Sequence, residues 1–150
     1  MNLPAADLQT RILTDIPLAR HIGVRVLEFD GASLVLGAPL AANSNHKGTA
    51  FGGSLFSLAV LAGWGLLTAK LRERGIEGEL VIQDSRVSYL APVTGDLTAR
   101  AVLPAAPELA RFMRAVDRYR KGRVRLHVSI EHAGREAFHF EGTFALLGAG

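Results

Sequence analysis

The residues with the greatest chemical potential lie in one short segment, between Asn45 and Ser54. The segment reads Asn-His-Lys-Gly-Thr-Ala-Phe-Gly-Gly-Ser, a polar loop that leads through two glycines into an apolar run. Glycine lets a ligand approach the backbone closely, and the first amides of a helix have no partner within the helix. The amides around Gly52, Gly53 and Ser54 can therefore bind an anionic or carbonyl oxygen, reinforced by the helix dipole. A tight helix start under steric pressure explains the same glycines equally well.

The side chains of this segment offer little acid–base chemistry. Asn45 is a neutral donor that suits a substrate oxygen, and it equally suits capping its own loop. His46 could donate a proton to a carbanion, although a surface histidine is the commoner case in a loop. Lys47 could pair with a carboxylate or a phosphate, and a solvated lysine fits as well. Ser54 and Ser57 have no histidine at a spacing that would make either one a nucleophile.

Composition limits the class of protein. The chain has 150 residues, 49% hydrophobic and 21% charged, which predicts one globular domain over residues 1–150. The absence of cysteine excludes disulfides, thiolate metal sites and cysteine nucleophiles. We expect no cofactor and no metal, because a pair formed by His127 and His139 has no apparent third ligand. No secretory leader is visible after Met1, so we expect a cytoplasmic protein.

Positive charge is concentrated in residues 111–125. The formal net charge is +3, and this stretch holds seven of the 17 lysines and arginines. It is either a solvated basic face or a landing surface for a polyanion. Nucleic acid is the weaker choice of polyanion, because few aromatic residues accompany these charges.

Hydropathy patterns predict the elements that position the loop. Residues 5–13 predict a short helix, and residues 24–29 and 33–38 predict strands joined by a turn at Asp30-Gly31. A very apolar helix follows from about residue 53 to residue 74, and Gly75 is suited to end it. A membrane span is the weaker interpretation, because the charge-free run is shorter than the roughly 20 residues that a span needs.

After this helix the apolar residues alternate. Strands are predicted near residues 80–90, 97–103, 124–130 and 138–144, and residues 107–119 predict either a helix or an irregular crossover. About six strands and one central helix predict an α+β fold with a curved antiparallel sheet wrapped around that helix. Such a sheet covers only one side of the helix, so we expect the other flank to pack on a second copy, giving a homodimer or a dimer of dimers.

Residues 49–62 together with residues 87–97 resemble the signature of hot-dog-fold thioesterases. The resemblance covers the chain from about residue 17 to its end. The chain resembles a thioesterase domain that occurs alone or fused behind an acetyltransferase in proteobacteria, a group that includes malonyl-acyl-carrier-protein decarboxylases. The resemblance implies a hot-dog fold and an acyl thioester substrate on acyl carrier protein or coenzyme A. The basic stretch favours the acidic carrier protein.

The chain departs from this signature at two positions. Hydrolases of this type carry a histidine before the two glycines and a carboxylate about two helical turns later. This chain has Phe51 and Val60 at those positions. Hydrolysis needs a group that activates water or attacks as a nucleophile. Asp84, on the strand after the helix, is the residue that could substitute.

Decarboxylation of a malonyl thioester has different needs, because no water is activated. The enolate that forms needs hydrogen bonds to the thioester oxygen, and the departing carboxylate needs an apolar setting. Asn45 and an amide near Gly53 suit the oxygen, Phe51 suits the carboxylate, and His46 suits the protonation of carbon. The predicted substrate contacts are Lys47, Phe51, Gly52, Ser54 and Asp84. We therefore favour malonyl-thioester decarboxylation at the start of fatty acid synthesis, with thioester hydrolysis or non-catalytic thioester binding as alternatives.

Overall fold

The computed structural model describes residues 4–149. These residues form helices and strands in the following order: α1 (Ala5–Asp15), α2 (Pro17–Ile22), β1 (Arg25–Phe29), β2 (Ser33–Ala38), α3 (Leu40–Asn43), α4 (Gly52–Glu73), β3 (Gly78–Tyr89), β4 (Leu97–Val102), α5 (Ala106–Tyr119), β5 (Gly122–His132) and β6 (Arg135–Ala149).

The strands form one curved, six-stranded antiparallel sheet in the order β1-β2-β4-β5-β6-β3. This confirms the predicted α+β architecture, and β3 and β1 are the two edges. The stretch that allowed two interpretations is the helix α5. Two short helices, α2 and α3, were not predicted. The helix α2 begins at a proline and ends before Gly23, whose φ of 80° marks a left-handed C-terminal residue.

The predicted apolar helix is α4, and it is the core of the fold. In the apolar 18-residue stretch of this helix, 67% of the residues are buried inside the chain, as expected for a core helix. Small residues let the sheet approach closely: a Cβ at Gly63 would lie 2.8 Å from the Phe144 ring, and one at Gly65 would lie 2.9 Å from Leu34. Gly75, at φ 68°, follows the helix as predicted. The predicted inward phenylalanines of β6 are all fully buried, namely Phe138, Phe140 and Phe144.

One flank of α4 is less covered than the rest. The side chain of Ile12 in α1 packs near Gly65, so α1 covers part of the surface that the sheet leaves open. Phe56, Val60 and Trp64 remain only partly buried, at a helical spacing that puts them on one stripe. This stripe lies beside the edge strand β3, because the indole Nε1 of Trp64 donates to the Leu80 carbonyl at 3.1 Å.

Candidate functional site

The loop before α4 is a tight, hydrogen-bonded turn. The Asn45 amide donates to the Thr49 carbonyl at 2.7 Å, and the Gly48 amide donates back to the Asn45 carbonyl at 3.1 Å. Gly48 has φ 78°, a left-handed conformation that favours glycine. The loop ends at Ala50, whose amide donates to Val93 at 2.8 Å. The loop is therefore fixed directly before the start of α4.

The side chain of Asn45 is largely committed to this loop. Its Oδ1 accepts from the Lys47 amide at 2.8 Å and from the Thr49 amide at 3.1 Å. Its Nδ2 donates to the Thr49 hydroxyl at 2.8 Å. The loop-capping interpretation of Asn45 therefore has direct support. An amide carries two N–H groups, so one donor of Nδ2 has no partner within residues 4–149.

Some of the first N–H groups of α4 form hydrogen bonds and others, in the described residues, do not. The Phe51 carbonyl accepts from the Ser54 amide at 2.9 Å and from the Leu55 amide at 3.1 Å. The prediction that the Ser54 amide is available is therefore wrong, because that N–H already closes the first turn. The amides of Gly52 and Gly53 have no partner in the described part of the chain. We call these two N–H groups the amide pair.

Two aromatic rings flank the amide pair. A Cβ on Gly53 would meet the Phe51 ring at 2.5 Å, and one on Gly52 would meet the Tyr89 ring at 3.1 Å. The Tyr89 hydroxyl also donates to the Gly52 carbonyl at 3.2 Å. Phe51, Tyr89 and Leu90 expose 57%, 56% and 50% of their surface. The amide pair thus lies in an apolar, uncovered patch of the single chain.

Two residues of this site, Tyr89 and Asn43, were not predicted from the sequence. Tyr89 ends the long strand β3 inside the stretch that resembles thioesterases, which was the available signal. Asn43 is buried and donates through Nδ2 to the carbonyls of Ile22 and Pro39 at 2.9 and 2.7 Å. Its own carbonyl accepts from the Phe51 amide at 2.7 Å. Asn43 therefore fixes the residue from which α4 begins.

The remaining predicted residues lie around this core or away from it. His46 and Lys47 are exposed on the loop. Asp84 pairs with Thr143 on β6, and Thr143 alternates with inward-facing Gly142 and Phe144. Asp84 therefore faces away from α4. It lines a cavity of about 670 Å³ with Arg111, Arg123 and Arg125, and that cavity includes no residue of the α4 start.

His127 and His139 meet on the outer face of the sheet. Their Nδ1 and Nε2 atoms are 3.2 Å apart, and the other ring nitrogen of His139 is 3.2 Å from Glu136. No group of three or more metal-ligating side chains occurs in residues 4–149. Hydrogen bonds from His127 to His139 and from His139 to Glu136 therefore account for the position of the two rings.

Comparisons with known proteins identify the family of the chain. Residues 5–148 match the family model described as putative thioesterase (yiiD_Cterm). The chain belongs to this thioesterase family. The match begins at residue 5, so the relationship extends further towards the N-terminus than the predicted start near residue 17. Membership implies acyl thioester substrates.

Solved structures place the fold among hot-dog thioesterases. A protein of unknown function from Chlorobaculum tepidum is 32% identical with a TM-score of 0.91, over 96% of this chain and 94% of that one. A putative thioesterase from Shewanella oneidensis is 27% identical with a TM-score of 0.85, over 95% and 96%. A probable thioesterase from Pseudomonas aeruginosa shares the fold at 20% identity and a TM-score of 0.83, over 100% and 99%.

Proposed function

We propose that this hot-dog protein binds the carbonyl oxygen of an acyl thioester at the amide pair and decarboxylates malonyl thioesters. The observation that carries the proposal is the composition of the site. Two N–H groups that have no partner in residues 4–149 lie at the positive end of a long helix, and aromatic rings flank them. No carboxylate or imidazole is hydrogen-bonded to the start of α4 in the described residues. Such a site stabilises an oxyanion and does not activate water.

The reaction needs only what this site offers. The bond between the malonyl carboxylate and the methylene carbon breaks, CO₂ leaves, and the electron pair becomes an enolate on the thioester oxygen. Hydrogen bonds from Gly52 and Gly53, and from the remaining N–H of Asn45, stabilise that negative charge. A proton from His46 or water then reaches the carbon and gives the acetyl thioester. The Phe51 and Tyr89 rings favour loss of the charged carboxylate, because an apolar setting solvates it poorly.

Thioester hydrolysis is the second candidate, favoured by the family description and by the Shewanella oneidensis relative. It would need a base near the amide pair. Val60 stands where a carboxylate is expected from the resemblance, and α4 holds no Asp or Glu before Glu73. Asp84 faces a separate cavity of the same chain. The described chain therefore gives more support to decarboxylation.

We also propose that the protein acts as a homodimer paired along β3. This strand is 12 residues long, and within residues 4–149 only β6 pairs with it, so its outer edge is open to a second copy. Beside it lie the partly covered stripe of α4 and the exposed Tyr89 and Leu90. A second copy on this edge would cover both, and it would close the apolar patch around the amide pair.

Mass spectrometry of the products tests the proposal. The protein is incubated separately with malonyl-carrier protein, acetyl-carrier protein and a long-chain acyl-carrier protein. We expect malonyl to become acetyl with the thioester intact, and the other two substrates to stay unchanged. Free acid and free thiol would instead establish hydrolysis. Binding without any turnover would assign the protein to non-catalytic recognition of thioesters.

A further inference from the structure

The outer face of α5 carries a row of arginines. Arg111, Arg114 and Arg118 recur at a spacing of three and four residues, which puts them on one helix face. The buried side chains of α5 are Phe112, Met113 and Val116, on the opposite face. The row is about 10 Å long, and none of its members forms an ion pair within residues 4–149. We call these three arginines the basic row.

The surroundings reinforce this positive charge. Arg120, Lys121 and Arg123 follow directly and are exposed, also without an ion pair in the described chain. Nearby Asp117 is neutralised by Arg74 at 2.8 Å. The acids that remain close are Glu108 and Asp84, which share the cavity beside Arg111. Cations therefore exceed acids along the whole outer side of α5.

The length of the row indicates a macromolecular partner. A single phosphate group cannot contact cations spread over about 10 Å, whereas acidic side chains along a protein helix repeat at the same spacing. A nucleic acid is less suitable. The exposed ring of Tyr119 already has the Arg118 guanidinium 5.3 Å above it, so no free stacking platform accompanies the charges.

The position of the row relative to the amide pair limits how it can serve the reaction. The bond between Arg74 and Asp117 ties the C-terminal half of α5 to the C-terminal end of α4. The amide pair is at the other end of this 22-residue helix, about 33 Å away. A pantetheine arm reaches about 18 Å, the length of roughly five extended residues. A carrier docked on Arg118 is therefore too far from the amide pair of the same chain.

Pairing along β3 resolves this distance. Within one chain β3 runs antiparallel to α4, because Tyr89 contacts Gly52 and Leu80 contacts Trp64. A twofold axis that pairs two β3 strands antiparallel reverses this order in the second copy. The partner subunit's amide pair then lies beside the Gly78 end of β3, near the C-terminal end of α4. This is the end of the fold at which the basic row lies.

We propose that the basic row docks an acidic acyl carrier protein and that the carrier's arm enters the active site of the partner subunit. This rests on the proposed function and on pairing along β3. The double variant Arg114→Glu/Arg118→Glu tests the docking step, and Arg25→Glu/Arg135→Glu is the control with the same change of charge elsewhere. We expect the first variant to weaken binding of the carrier protein about 10- to 100-fold at low salt. The control should bind like the parent.

Binding is measured by fluorescence anisotropy with labelled carrier protein, so the result does not depend on turnover. If the proposed function is wrong, turnover is absent while the loss of binding is still seen. Malonyl-N-acetylcysteamine, which lacks the carrier, should be turned over equally by all three proteins. The docking proposal is overturned if Arg114→Glu/Arg118→Glu binds the carrier protein as well as Arg25→Glu/Arg135→Glu does. It is also overturned if Arg114→Glu/Arg118→Glu loses as much turnover of the small substrate as of the carrier substrate. Binding of a DNA duplex without binding of the carrier would overturn it as well. Arg114→Gln/Arg118→Gln should give an intermediate loss.

Heterodimers test the transfer between subunits. One subunit carries Gly53→Ala to damage its amide pair, and the other carries Arg114→Glu/Arg118→Glu. Docking in trans predicts about half of the parental turnover of malonyl-carrier protein, because the intact row serves the intact amide pair. Placing all three changes in one subunit, beside a parental partner, should instead remove most turnover. The opposite pattern would overturn the inference, because it would mean that each row serves its own chain.

Discussion

Gly53→Ala separates the chemistry of the amide pair from the stability of the fold. The new methyl group would lie 2.5 Å from Cε2 of Phe51, which is too close, so something must move. The ring of Phe51 can move, because 57% of its surface is exposed. Turning the ring away from its preferred rotamer costs about 1 kcal/mol. Alanine in a helix gains up to about 1 kcal/mol over glycine.

These two effects nearly cancel in the free energy of unfolding. We therefore expect the melting temperature to stay within about 4 °C of the parent. Turnover responds differently, because the methyl group and the displaced ring occupy the space in front of the amide pair. Loss of an oxyanion donor lowers kcat about 100- to 1,000-fold in other enzymes, and we expect a fall of at least 100-fold here.

The assay combines thermal unfolding by circular dichroism with product analysis on malonyl-carrier protein. Phe51→Ala in the Gly53→Ala background supplies the control, since removal of the ring leaves the methyl group without its clash. That double variant should recover turnover towards the level of Phe51→Ala alone, which also lacks the ring that favours loss of the carboxylate. A folded Gly53→Ala protein with parental turnover would refute the assignment of the carbonyl oxygen to Gly52 and Gly53.

Single substitutions test the loop, the β1–β2 turn and the edge strand. Asn45→Asp keeps the acceptors for the Lys47 and Thr49 amides, so the free energy of unfolding in urea should change by less than about 1 kcal/mol. Loss of the Nδ2 donor should lower kcat about 10-fold or more. A parental kcat would leave Asn45 with a role in the loop only. Hydrogen bonds from the amides of Ala32 and Ser33 lower the pKa of Asp30 from 3.8. The unfolding free energy should therefore decline as the pH falls below that value, and Asp30→Asn should flatten the decline in urea titrations at acid pH; an unchanged slope would contradict this. Val81→Lys on the edge strand β3 should lower the mass measured by light scattering from twice 16.0 kDa to that of a single chain. Val102→Lys on the interior strand β4 is the control and should leave the mass unchanged. If both variants remain dimeric, pairing along β3 is excluded.

Much of the fold was predictable because its patterns are local. The alternation of apolar residues in β6 and the charge-free run of α4 each indicated one element, and the structure buries those residues. The short helices α2 and α3 were harder, because one turn or two of helix carries almost no periodicity. The choice between helix and crossover for α5 depended on packing against β5, which the spacing does not reveal.

The candidate site was predictable only in part. The glycines marked the start of α4, and Phe51 and Val60 showed that the usual histidine and acid are absent. The sequence could not show that the Ser54 amide closes the first turn, since that depends on the backbone angles of Phe51. It also could not show that Asp84 faces away from α4. A bulge between Ile82 and Asp84 shifts the alternation of side chains along β3.

The central claim is that the carboxylate leaves while the thioester survives. Malonyl-carrier protein labelled with ¹³C at the free carboxyl group tests this most directly. We predict that the purified protein releases the label as CO₂ and leaves an unlabelled acetyl group on the carrier. Label recovered in free malonate, together with a free carrier thiol, would contradict decarboxylation and establish hydrolysis instead.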